Sequence, residues 1–183
     1  MIRIPGKEIP QGRAGSYCAG QIVSYRKDNC LVIIDMGGGY GASTYEKLTE
    51  NEMEVRPYKG AETTARRSRD GKLKFVNVRS AAIWYFREAL DPDQPGGSPI
   101  MLPDDPLITA DLTAPTFDIT PHGVRVEAKE DVCDRLGRST DDGDAVVMAW
   151  WEGPKEITHA LDWVDRKQRK KGQQPKVIMG RRR

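Results

Sequence analysis

The segment from Leu31 to Tyr45, LVIIDMGGGYGASTY, sets the tightest limit on what this chain can fold into. Leu31 to Ile34 is an unbroken run of leucine and β-branched residues, with no polar position through which one face could meet water. Such a run predicts a strand covered on both faces, as in the parallel sheets of α/β proteins. Asp35 ends the run, the glycines turn the chain, and Ala42 to Glu50 reads as a helix with Ser43 or Thr44 near its start. Met53 to Tyr58 is the next strand candidate, so a β–α–β unit is expected.

Three chemistries use glycines at a strand end. A P-loop needs GxxxxGK[ST], and no lysine occupies the required position, which excludes it. A dinucleotide loop is compatible with Gly37, Gly39 and Ala42, which satisfy GxGxxG/A, and with Glu54 as a ribose-binding acid. Against it, Asp35 would set a negative charge beside the pyrophosphate, and no regular series of βα units follows. The third chemistry is a carboxylate metal site, where Mg²⁺ or Mn²⁺ takes hard oxygen ligands from separate elements. Asp35 ends a buried strand; Asp141 and Asp144 stand one helical turn apart ahead of the apolar stretch DAVVMAWW. The same acids also suit a helix N-terminus with no further role.

The remaining segments follow from local signals. Residues 12–27 are compatible with a short helix. The polar stretch from Ala61 to Lys72, with Arg66, Arg67, Arg69 and Lys72, is expected to be a mobile basic loop. Ser80 is placed to cap a helix over Ala81 to Leu90, whose Ile83, Phe86 and Leu90 share a face and read as core. Residues 91–99 form a loop, and Asp104 to Ala114 reads as a helix. Alternating stretches on either side of Pro121-His122-Gly123 predict a β-hairpin near residues 115–127, with His122 exposed at its turn. Lys129 to Leu136 reads as a short helix.

Charge is distributed unevenly. Residues 166–183 carry nine basic and no acidic residues, leaving 20 basic against 27 acidic in the body. A basic tail on an acidic body suits a polyanionic partner, with Lys170 and Lys171 as candidate contacts; a solvated, disordered terminus is the plainer alternative. Cys18, Cys30 and Cys133 are odd in number and lack CxxC spacing, as expected for thiols in a reducing compartment. No run reaches the roughly 18 apolar residues of a membrane span, so no membrane partner is expected.

Taken together, the strings VIIDMGGGYGASTYEKL, SAAIWYFREALDP and KEDVCDRLGRSTDDGDAVVMAWW resemble the C-terminal nuclease domain of phage terminase large subunits, from about Pro5 to Trp163. The resemblance implies an α/β fold of RNase H-like type, a mixed sheet flanked by helices, over residues 1–165, with 166–183 as a basic tail. It implies a Mg²⁺- or Mn²⁺-dependent endonuclease that cuts concatemeric double-stranded DNA by two-metal phosphodiester hydrolysis during packaging in the cytoplasm of a bacterial host. Asp35 and Asp144 match the family's metal carboxylates, with Asp141 a nearby candidate; Lys129 matches a basic position that would orient a phosphate or the attacking water. Arg66, Arg67, Arg69, Lys72, Lys170 and Lys171 would contact DNA. The family's partners are an ATPase motor domain, a small terminase subunit and a portal. Before Asp35 only Glu8 and Asp28 are acidic, and neither lies on a strand pattern. The resemblance therefore implies a piece that lacks the motor domain, the first nuclease strands and one metal carboxylate, with an exposed sheet edge and low or no nuclease activity of its own. The alternative is a catalytically dead DNA-binding or assembly module.

Overall fold

The computed structural model describes residues 1–26, 30–94 and 96–151. Lys170, Lys171 and the rest of the 166–183 stretch lie outside them. The apolar run forms β1 (Val32–Asp35), followed by α2 (Ala42–Glu50) and β2 (Val55–Tyr58), which lies parallel to β1. This is the expected β–α–β unit. Both faces of β1 are covered, because alternate side chains point opposite ways. Val32 and Ile34 pack with Leu48 of α2 and Ala19 of α1 (Ala14–Tyr25), whereas Ile33 joins Tyr58, Ala82, Phe86 and Val147.

The second cluster is built on α3 (Val78–Leu90), the longest helix described. Asn77 caps it by accepting the Ser80 N–H at 2.8 Å. The expected cap, Ser80, lies one turn inside. Its hydroxyl accepts the Val126 N–H at 3.1 Å instead and ties the helix to a strand. Phe86 is buried as its spacing predicts, and Trp84 packs with Phe75 and Val124.

A loop leads to α4 (Pro106–Thr113), capped by Asp105 with proline at its first position. The hairpin β3 (Phe117–Thr120) and β4 (Gly123–Val126) follows, then α5 (Lys129–Leu136) and α6 (Asp141–Trp151). Among the described residues the strands form two two-stranded sheets, where one mixed sheet is expected from the resemblance. Between β2 and α3 the chain makes turns and isolated bridges, Arg67 to Lys74 and Phe75 to Val124, so no full strand joins the two sheets. The architecture is mixed α/β. No helix among the described residues is long and apolar enough to cross a membrane.

Candidate functional site

β1 and β2 end side by side. Asp35 pairs with Tyr58 in the ladder, and the Met36 N–H donates to Tyr58 O at 2.8 Å. In open parallel sheets, ligands collect beyond the C-terminal strand ends. A cavity of about 430 Å³ opens there, with Asp35, Tyr58, Arg79, Lys129, Glu130 and Asp144 on its wall.

The glycines shape this end of the strand. The Gly37 N–H donates to Asp35 Oδ1 at 2.8 Å and fixes the carboxylate. At Gly41 a Cβ would lie 2.0 Å from Asp35 O, so only glycine lets α2 start this close to the strand. The loop thus serves the carboxylate. That weakens the dinucleotide reading, because the N–H a pyrophosphate would use is already engaged. Glu54, its ribose partner, also lies before β2, at the end of the strand away from the glycines.

Asp144 reaches the cavity from the first turn of α6. The Thr140 hydroxyl donates to Asp144 Oδ2 at 3.2 Å, and Lys129 Nζ lies 2.9 Å from the same oxygen. Lys129 also donates to Asp141 Oδ1 at 2.9 Å. Burial opposes the Lys129 charge, but the hydrogen bonds to Asp141 and Asp144 outweigh it and hold the pKa above the ordinary lysine value. The ammonium form of Lys129 is thus favoured by its two carboxylate partners. Burial also raises the Tyr58 pKa; the charges of Asp144 and Asp35 add to this and Arg79 opposes it. One hydroxyl thus senses both carboxylates.

Asp35, Asp144 and Lys129, singled out in the sequence, meet at one cavity. Asp141 does not line it: its side chain is 76% exposed, and Oδ1 is shared by Lys129 and the Ser139 hydroxyl. Glu8 lies on an exposed turn and does not line it either. The Arg66–Lys72 segment is a hydrogen-bonded turn where a mobile loop is expected. Ser68 N–H bonds Leu73 O at 3.0 Å, Arg69 bonds the Glu88 carboxylate and carbonyl, and Lys72 lies 3.6 Å from Asp70. Arg66 stacks its guanidinium 3.8 Å above the Trp151 ring. Arg66 and Arg67 face a second opening of about 420 Å³, together with Lys74 and His122 and, among the described residues, no carboxylate. Val76 lines both openings.

Sequence reasoning missed Arg79, Glu130 and Tyr58 on the cavity wall, and Asp111 behind it. Asp111 had a signal: it sits on the buried face of α4, three positions after the fully buried Ile108. A carboxylate at an apolar face position needs a partner.

The donor chemistry suits a hard divalent cation, and the Lys129 ammonium already marks Asp144 as a seat for positive charge. Asp35 and Asp144 line one cavity, each held by a hydrogen bond of its own, from the Gly37 N–H and the Thr140 hydroxyl. Among the described residues no group of three acidic, histidine or cysteine side chains is gathered closely enough to hold a metal ion. No family model and no curated protein matches the chain.

Proposed function

We propose that this chain is the nuclease domain of a viral DNA-packaging terminase, an RNase H-like, metal-dependent endonuclease acting on double-stranded DNA. What carries the reading is the meeting of Asp35 and Asp144, distant in sequence, at one cavity beyond the ends of two parallel strands. Asp35 and Asp144 would hold Mg²⁺ or Mn²⁺, which when bound polarises a phosphodiester as a Lewis acid. Gly37 and Thr140 orient the two carboxylates. Lys129 and Arg79 present positive charge to a phosphate on the same wall. The opening with Arg66, Arg67, Lys74 and His122 then takes the neighbouring stretch of backbone. A motor domain, a small subunit and a portal in a bacterial host's cytoplasm are the partners this reading entails.

The test is plasmid cleavage by the full chain with Mn²⁺, beside Asp35→Ala and Asp144→Ala. Whatever cutting the parent chain gives, each substitution is expected to lower it by about two orders of magnitude or more. Cutting that survives both would sink the assignment. A second reading, a DNA-binding module without catalysis, is favoured by one observation: Asp35, Glu130 and Asp144 share the cavity wall with Lys129, yet no group of three able to hold a metal forms among the described residues. It predicts no cleavage, and DNA binding that disappears when residues 166–183 are deleted.

A further inference from the structure

Asp111 lies in α4, which packs against α6, and its side chain is fully buried. Its Oδ2 accepts the Gly143 N–H at 3.0 Å. Its Oδ1 lies 2.6 Å from Arg138 Nη1, an ion pair without hydrogen-bond alignment. Gly143 is adapted to this approach: a Cβ there would lie 2.6 Å from the Asp111 Cβ. Burying a carboxylate carries a desolvation cost that Arg138 only partly offsets, so a packing role alone would be met more simply by an apolar side chain.

The hydrogen-bond pattern at the start of α6 shows what the carboxylate does. A threonine just before a helix ordinarily turns its hydroxyl oxygen to the N–H groups of the first turn. Thr140 stands in that position, and its carbonyl accepts the Asp144 N–H at 3.0 Å. Its hydroxyl, however, donates to the Asp144 carboxylate. The N–H of Gly143 goes instead to Asp111, across the helix pair. A small cavity of about 20 Å³ is lined by Asp111, Thr140, Gly143, Asp144 and Arg79, and it shares Arg79 and Asp144 with the main cavity.

We infer that Asp111 is a positioning residue for the metal carboxylate: by taking the Gly143 N–H in place of Thr140, it lets the Thr140 side chain turn its hydroxyl to Asp144 and hold that carboxylate at the cavity. This rests on the proposed metal site and adds its second layer. Groups that orient ligands in this way typically change metal affinity by about 10–100-fold when removed.

The experiment measures Mn²⁺ affinity by calorimetry on the full chain, at a temperature where circular dichroism shows each variant folded, with amide exchange at Gly143 read by NMR. Asp111→Ala is expected to bind Mn²⁺ at least about tenfold more weakly, with faster Gly143 exchange. Asp111→Asn keeps an oxygen for the Gly143 N–H and is expected to stay within about threefold of the parent, although it weakens the Arg138 pair. Thr140→Val removes the hydroxyl and leaves Asp111 in place; it should reproduce the weakening without faster Gly143 exchange, and it serves as the deciding variant if Asp111→Ala does not fold. Parental affinity in folded Asp111→Ala, or in Thr140→Val, overturns the inference. Parental protein that binds no Mn²⁺ overturns the metal site itself and this inference with it.

Discussion

At single residues, close approach and charge pairing decide the outcome. Gly41→Ala puts a methyl group into the Asp35 carbonyl and the Ile34 side chain, and backbone cannot yield as a flexible side chain would. It is expected to cost about 1–3 kcal/mol in urea unfolding and to displace Asp35; an unchanged midpoint would mean that the strand end is looser than described. Glu127 gives a pH test. Its pKa is held below the ordinary glutamate value, first by the Thr116 N–H, against burial, and then by the Arg135 and Thr116 side chains. A depressed carboxylate stabilises the fold above its unfolded pKa and loses that contribution as pH falls through the native value. Glu127→Gln should therefore flatten the fall in melting temperature below pH 4.5. Parallel acid limbs in parent and variant would rule the contribution out. Asp35 and Asp144 were legible because each follows or opens an apolar element. Asp111, Arg79 and Tyr58 were not, since their roles depend on which helix meets which strand.

Among the elements, α3 is the hub. Phe86 is 3% exposed between β2 and α6, and Phe86→Ala is expected to cost about 3–5 kcal/mol by chemical denaturation. Asn77→Ala removes the cap alone and should cost about 1 kcal/mol; a larger loss would show that Asn77 also supports the cavity it lines. The β–α–β unit, the hairpin and the helices could be read from periodicity, since each has its own pattern of apolar and turn residues. The division of the strands into two sheets could not. It depends on residues 59–77, whose polar composition does not distinguish a strand from a series of turns. The cap of α3 was misplaced for a related reason: Asn77 and Ser80 are both good caps in isolation, and the contact that claims Ser80 comes from Val126.

Across the whole molecule, a cavity of mixed charge and a basic opening share Val76 on their walls. If one DNA backbone spans both, combined Arg66→Ala, Arg67→Ala and Lys74→Ala should weaken binding to unrelated duplexes alike and reduce the slope of log affinity against log salt by about 0.9 per lost phosphate contact. An unchanged slope would remove that opening from the DNA path. Lys129 brings a different consequence. Because its ammonium already rests on Asp144, the cavity carries an internal counter-ion, and loading it with Mn²⁺ is an exchange of one cation for another. Lys129→Met should thus take up the metal more tightly and yet cleave more slowly, separating occupancy from turnover in a single substitution.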